Sequence, residues 1–341
     1  MKSTLLVAVG LLPICSVVLS PTTWCMESDQ SGAYESAYLY VTDAEGKDYP
    51  HNGTPSWGDD GDITNGIGHD DANWYISALG NDGLGFPDNT WVLYRIPVSK
   101  ALDQNFDNDP GVRKVLSEEV PTLFNMRYGH AGDVDCYRHS DGVDYLFVPL
   151  TGYAYGGNEA PPPAIAVFRA DDLHYVNYAI LPVQEGVGWC AIDNSGRLYT
   201  SDNQTNKILE YEIIWDRVND SGRHDGLIYR RPHYLKNRDG TSLSLHHMQG
   251  GAFSPSNNLL YINCGIFVYQ EDTDGIHVFE TETWTEEWAS FNSGFYYSLC
   301  EPYFVYRFEN TFGGGDEPEG LTYWDLNEGR APNVRGELHV L

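Results

Sequence analysis

GHAGDVDCYR (129–138) and GVGWCAIDN (186–194) are two of five related stretches that decide the fold of this chain. The other three are GIGHDDANWYIS (66–77), HHMQGGAFSP (246–255) and EPEGLTYWDL (317–326). In each stretch a small or acidic segment leads into an apolar strand. With Gly68, Ala131, Gly188, Gly250 and Gly320 as markers, the spacings are 63, 57, 62 and 70 residues. A repeat of about 60 residues that holds several strands predicts a β-propeller.

Strand signals fill the space between these markers. The second unit shows four of them, GDVDCYR, DYLFVPL, AIAVFRA and HYVNYAIL, separated by polar turns. Helical periodicity is almost absent, and the nearest candidate, KVLSEEVPTLF, is interrupted by Pro121. We therefore predict an all-β propeller of five blades with about four antiparallel strands each. A sixth blade follows if FYYSL and YFVYRF (295–308) form a sheet of their own, and an open sandwich or a β-helix is the alternative fold.

The last repeat is short, because the chain ends soon after GELHVL. We expect the N-terminal strand SAYLYVTD (36–43) to complete this blade and close the ring.

The charge balance excludes some classes of protein. The chain has 341 residues, with 49 Asp and Glu against 20 Lys and Arg, which gives a net charge of −29. This balance argues against a nucleic-acid binder and against a basic membrane-surface protein. CxxC, GxSxG and phosphate-loop motifs are absent from the sequence, so thiol redox, esterase-elbow and nucleotide-fold chemistry have no support.

The N-terminus has the pattern of a targeting signal. Lys2 precedes an apolar run from Leu5 to about Leu19, which is too short for a spanning helix. We predict a signal peptide over residues 1–25, a single propeller domain over 26–341, and a secreted protein, or a periplasmic one if the source is bacterial. Cleavage after Cys25 leaves Cys136, Cys190, Cys264 and Cys300, which form either two disulfides or buried thiols.

Several segments carry a family resemblance. HAGDVD, PAIAVFRA, GWCAID, HMQGGAFSPSNNLLYI and EPEGLTYWDL resemble a family of secreted β-propeller proteins without a well-defined activity, over most of residues 66–341. In layout the chain also resembles the group of senescence-marker-30-type lactonases, paraoxonases and propeller phytases. This second resemblance implies carboxylates and amides that bind calcium at inner-strand ends. The Asn ligands of that group have no counterpart in GWCAID or HHMQGG.

Polar residues near the starts of the predicted innermost strands are expected to converge at one mouth of the central channel. They are His69, Asp70, Asp71, His130, Asp133, Asp135, Trp189, His246, His247, Gln249, Glu317 and Glu319. Oxygen ligands in a ring suit Ca²⁺, and a mixed His and carboxylate set suits Zn²⁺.

From this set we predict His69, Asp133 and Glu319 as ligands of a divalent cation, Ca²⁺ or Zn²⁺. His130 and His246 are the predicted general bases, because histidine titrates near neutrality. The alternative is structural: polar residues at inner-strand ends hydrogen-bond neighbouring blades.

Two functions are compatible with this site. The first is a metal-dependent secreted hydrolase or related lytic enzyme, whose cation polarises a carbonyl or phosphoryl oxygen or acidifies a water. The alternative is a non-enzymatic propeller that binds a glycan or another extracellular ligand, and a third is an inactive structural module. In each case we expect a monomer whose partner is a small molecule or carbohydrate, and neither nucleic acid nor membrane.

Overall fold

The structure is a computed structural model. It describes residues 63–80, 90–100, 109–121, 128–152, 160–237, 240–256, 259–265, 275–281, 285–288, 296–300, 302–307, 319–326, 329–331 and 338–340. The predicted signal peptide (1–25) and the strand SAYLYVTD (36–43) lie outside these residues. Within the described part, none of the helices combines the length and the apolar character needed to cross a membrane.

Blade 1 is a four-stranded antiparallel sheet whose strands follow chain order from the inside outwards. They are β1 (Ile63–His69), β2 (Asn73–Gly80), β3 (Thr90–Pro97) and β4 (Arg113–Leu116), followed by a short 3₁₀ helix (Ser117–Glu119).

Blade 2 has an inner strand in two pieces that both pair with the second strand. Its strands are β5 (His130–Ala131), β6 (Asp135–Arg138), β7 (Asp144–Thr151), β8 (Ala164–Arg169) and β9 (Tyr175–Ile180). Residues 132–134 separate β5 from β6, and this interruption determines where the Asp133 side chain goes.

Blade 3 follows the same plan, and a two-residue strand and one short helix lie in its loops. Its elements are β10 (Cys190–Ile192), β11 (Arg197–Thr200), β12 (Gln204–Thr205), β13 (Lys207–Ile213), α1 (Trp215–Val218) and β14 (Leu227–Leu235). Strand β12 pairs with β15 (Leu245–His246), which precedes blade 4.

Blade 4 is again four-stranded and antiparallel, in the order β16-β17-β18-β21. The remaining strands are β16 (Met248–Phe253), β17 (Leu259–Cys264), β18 (Gly275–Glu280), β19 (Thr285–Trp288), β20 (Tyr296–Cys300), β21 (Pro302–Arg307), β22 (Leu321–Tyr323) and β23 (Leu338–Val340). Among the described residues, blade 5 consists of β22 and β23.

The five inner strands β1, β6, β10, β16 and β22 contact one another in a closed ring. Among the described residues, five separate hydrophobic clusters lie at the blade interfaces, and each draws its side chains from two neighbouring blades. This is what a propeller requires, because each sheet has two apolar faces and buries both against its neighbours. The predicted all-β propeller is confirmed.

Two alternatives from the sequence are corrected. FYYSL and YFVYRF do not form a sixth blade: β20 extends blade 3 by parallel pairing with β14, and β21 is the outer strand of blade 4. Cys136, Cys190 and Cys264 are thiols, so the two-disulfide alternative is not realised by these three. Cys190 is fully buried, where a small apolar side chain packs readily.

Candidate functional site

Five glycines bring the inner strands together at the propeller axis: Gly66, Gly132, Gly188, Gly250 and Gly320. A methyl group on Gly66 would lie 2.4 Å from the Asp133 Cα, and one on Gly320 would lie 2.6 Å from the Gly66 Cα. On Gly132 it would lie 2.1 Å from the Gly188 carbonyl oxygen. The backbones therefore occupy the space where side chains would stand, and these glycines mark one level along the axis.

The Asp133 side chain lies at the propeller axis, just beyond the level of the five glycines. Its Oδ1 accepts the N–H of Ile67 at 2.9 Å, and its Oδ2 accepts those of Gly251 at 3.0 Å and Leu321 at 3.1 Å. The Asp133 N–H donates to the Gly188 carbonyl at 2.8 Å. One residue of blade 2 is thus bonded to all four other blades. Asp133, a predicted metal ligand, is instead a structural acceptor at the axis.

A second carboxylate, that of the half-buried Asp135, lies two residues further along. Asp135 Oδ2 accepts the N–H of Ile192 in blade 3 at 2.5 Å, and Oδ1 accepts that of Cys136 at 2.8 Å. Burial raises the pKa of Asp135 to about 7, although these two amides act in the opposite direction. Burial also raises the pKa of Asp133, and the neighbouring Asp135 charge adds to that shift.

The raised pKa of Asp135 predicts a measurable pH dependence. Between pH 4 and 7 the folded state holds a proton that the unfolded chain releases, so the Asp135 contribution to stability falls as the pH rises through about 7. The change is at most about tenfold in the unfolding constant per pH unit. Urea titrations from pH 5.5 to 8 should therefore show wild type losing stability relative to Asp135→Asn.

His130 supplies a control of opposite sign for that experiment. Burial lowers the pKa of His130 to about 4, so the unfolded state takes up a proton that the folded state refuses as the pH falls below about 6.5. Wild type should gain stability relative to His130→Gln as the pH rises from 5.5 to 6.5. Parallel pH curves for wild type and both variants would contradict both assignments.

His69 lies at the opposite end of the axis from the predicted mouth. In GIGHDDANWYIS the apolar strand that follows His69 is WYIS, which lies in β2. The inner strand of blade 1 is instead β1, which reaches the axis at Gly66 and ends at His69. The His69 Nε2 donates to the Tyr323 carbonyl at 2.8 Å, and its ring stacks on Trp324 with centroids 4.3 Å apart. His69 therefore joins blade 1 to blade 5 at the exit ends of their inner strands.

The other predicted residues lie at the entrance end, before the axial glycines. His130 is in β5, opposite Thr151. His246 is in β15, where its Nε2 lies 3.1 Å from Gln204 Nε2. Glu319 is buried directly before Gly320, and its carbonyl accepts a long hydrogen bond from Asn263 Nδ2 at 3.4 Å.

These five residues do not form one cation site. Both oxygens of Asp133 are bonded to amides, and His69 is at the other end of the axis. Throughout the part of the chain that the structure describes, no group of three or more His, Cys, Asp or Glu is arranged to hold a metal ion. The residues present here therefore do not fit the predicted cation.

A different set of residues marks the entrance end. The residues directly before the axial glycines are Asn65, Ala131, Val187, Gln249 and Glu319. Ala131 and Val187 join the apolar clusters between blades 1 and 2 and between blades 2 and 3. The other three are polar: Gln249 in blade 4, Glu319 in blade 5 and Asn65 in blade 1, and these blades are neighbours around the ring. We call these three residues the polar sector.

Local irregularities set two members of the polar sector apart. Asn65 and Gln249 each lie at a shift in strand register, between Thr64 and Gly66 in β1 and between Met248 and Gly250 in β16. Such bulges redirect a side chain and are common beside binding sites. Asn65 is 2% exposed, and within the described part of the chain its Nδ2 has no hydrogen-bond partner. An unsatisfied buried donor costs about 1–3 kcal/mol, which a ligand acceptor would recover.

Sequence reasoning ranked this set too low. Gln249 is among the sequence candidates but is not one of the five preferred residues. Asn65 is not among them, because the marker of the first repeat is Gly68 and not Gly66. The available signal was an amide side chain directly before the axial glycine, as in TNGIG and MQGGA.

Comparisons with known proteins give fold-level similarities. The chain is similar to the Pseudomonas aeruginosa periplasmic gluconolactonase (16% identity, 79% of this chain and 61% of that chain, TM-score 0.36). It is also similar to the GH43_1 enzyme from Xanthomonas citri in complex with xylotriose (11% identity, 84% and 89% covered, TM-score 0.45). A protein of unknown function from Desulfotomaculum acetoxidans matches at 12% identity (76% and 58% covered, TM-score 0.36).

The chain thus spans less than two thirds of the Desulfotomaculum and Pseudomonas proteins. No family model and no curated protein matches the sequence. Identities and TM-scores this low assign no activity to the chain.

Proposed function

We propose that this protein is a non-enzymatic β-propeller that binds a carbohydrate or a similar polyhydroxylated ligand at the polar sector. The observation that carries the proposal is the buried Asn65 amide, whose Nδ2 has no hydrogen-bond partner among the residues that the structure describes. Such a donor beside an inner-strand bulge is a cost to the ligand-free fold and a gain when an acceptor arrives. Export by residues 1–25 stays a prediction, and it would bring the site into contact with extracellular or periplasmic glycans.

The chemistry of the polar sector selects the class of ligand. Asn65 and Gln249 carry amide groups, which donate and accept, and Glu319 carries a carboxylate, which accepts. Gln249 Nε2 also donates to the Gly265 carbonyl at 3.4 Å. Hydroxyl groups match this set because each both donates and accepts. Anionic ligands are disfavoured by Glu319 and by the net charge of −29.

The amide of Asn65 can be tested directly. Asn65→Ala should weaken the binding of the best neutral oligosaccharide in a calorimetric panel by about tenfold or more, because one well-formed hydrogen bond is lost. The melting temperature of the ligand-free variant should stay the same or rise, since the substitution removes an unsatisfied buried donor. A residue that only stabilised the fold would give the opposite pattern.

Controls separate this proposal from the hydrolase hypothesis. Asn219→Ala changes an exposed amide after α1, at the exit end, and should leave the affinity unchanged. Binding should persist in EDTA, and the oligosaccharide should be recovered intact. Loss of binding in EDTA, or cleavage of the sugar, would replace this proposal with the metal-dependent hydrolase.

A further inference from the structure

Asp133 is bonded to the same three strands that carry the polar sector. Its carboxylate accepts the N–H groups of Ile67, Gly251 and Leu321. Each of these residues lies two positions after a member of the polar sector, namely Asn65, Gln249 and Glu319 respectively. One side chain of blade 2 therefore fixes blades 1, 4 and 5 at a point about one strand pleat below the proposed ligand.

The fourth blade is attached in another way. Blade 3 meets blade 2 through the Asp133 N–H and the Gly188 carbonyl, and through Asp135 and the N–H of Ile192. The Asp133 carboxylate thus accepts hydrogen bonds from the three strands that carry the polar sector, whereas the Asp133 backbone bonds to blade 3. The axial glycines make this possible: a methyl group on Gly320 would lie 2.8 Å from Asp133 Oδ1.

We infer that Asp133 is the positioning residue of the ligand site: its carboxylate sets the relative height of the three strands that present Asn65, Gln249 and Glu319. The inference rests on the proposed function. A binding site needs its polar groups held within about 0.5 Å of their working positions. Three blades that are joined only by loops reach that precision only if a contact at the axis holds their inner strands together, and the Asp133 carboxylate supplies this contact.

Asp133→Asn tests the inference with little change in size. The asparagine keeps one acceptor oxygen and places an N–H₂ group against one or two of the backbone N–H groups, so those strands must move apart. We expect at least a tenfold loss of affinity for the oligosaccharide bound by wild type. The amide hydrogens of Ile67, Gly251 and Leu321 should exchange faster than in wild type.

Ser77→Ala is the matched control. The Ser77 hydroxyl donates to the Gly132 carbonyl at 2.7 Å, so it joins blade 1 to blade 2 beside the same axial level without bonding to the Asp133 carboxylate. Ser77→Ala should lower the melting temperature and leave the affinity within about twofold. If the loss of affinity in each variant were proportional to the decrease in its melting temperature, Asp133 would be a stabilising residue only and the inference would fail.

A wild-type measurement keeps the test decisive if Asp133→Asn does not fold. Ligand should slow amide exchange at Ile67, Gly251 and Leu321 more than at Ile192, which Asp135 holds on the same ring. Equal protection of all four amides would overturn the inference.

The two proposals fail in different ways. If wild type bound no member of the panel, the proposed function would fail alone, because a crystal structure of Asp133→Asn or of another folded Asp133 variant still measures the positions of Asn65, Gln249 and Glu319. Displacement of the three relative to one another supports the positioning role, and unchanged positions refute it.

Discussion

Gly132→Ala is expected to destabilise the protein more than any other single methyl group at the axis. The added Cβ would lie 2.1 Å from the Gly188 carbonyl oxygen and 2.7 Å from its carbon, and both atoms belong to backbone that is hydrogen-bonded across the ring. Inserting atoms into a packed core costs typically about 1–3 kcal/mol, and a contact with rigid backbone lies at or above the upper end of that range. Urea denaturation would measure the loss.

Gly186→Ala is the matched control for that variant. Gly186 lies two residues before Gly188, and a methyl group there would meet no atom within 4 Å. We expect its midpoint of unfolding to stay close to that of wild type. Similar midpoints for Gly132→Ala and Gly186→Ala would show that the inner strands do not approach as closely as described.

Trp324→Ala is expected to open the ring between blades 5 and 1. The indole is 5% exposed; it stacks on His69 at 4.3 Å, meets the edge of Trp74 at 4.7 Å, and carries the Arg330 guanidinium at 5.8 Å on its ring. Removing a buried tryptophan side chain costs about 3–5 kcal/mol.

An exposed aromatic provides the comparison. Tyr234→Ala removes a side chain of a residue that is 36% exposed, so its effect should stay within about 0.5 kcal/mol. If Trp324→Ala and Tyr234→Ala had the same melting temperature, the contact between blade 1 and blade 5 would not be what closes the ring.

The repeat could be predicted because the close approach of the inner strands at the axis restricts which residue types can occupy those positions. Close approach of five backbones requires glycine. Three of the five markers, Gly188, Gly250 and Gly320, are axial glycines, and the marker Ala131 lies one residue before a fourth, Gly132. For blade 1 the sequence indicates β2 instead of β1 as the inner strand. GIGHDD contains two glycines, and whether Gly66 or Gly68 lies at the axis depends on which strand faces the axis. That choice is made by packing against blades 2 and 5, which local sequence does not encode.

The site was harder to predict than the fold for a related reason. Histidines and carboxylates next to inner strands are equally suited to a cation and to the linking of blades, and only the partners distinguish the two. Asp133 and Asp135 are two residues apart and would face the same side of a regular strand. The sequence does not show the break between β5 and β6, which turns Asp133 towards the axis and lets the two carboxylates bond to different blades.

The bonds of Asp133 also set an order for the folding of the chain. Its three amide partners are separated from it by 66, 118 and 188 residues along the sequence, so the contacts that close the axis are among the least local in the molecule. Folding slows as contacts become less local, because long loops must close before those contacts form. During synthesis the carboxylate lacks the N–H of Leu321 until the strand at Leu321 has left the ribosome. Blades 1 to 4 alone would hold a buried carboxylate with an open edge, and a nascent chain halted before residue 321 is therefore a natural substrate for chaperones and proteases.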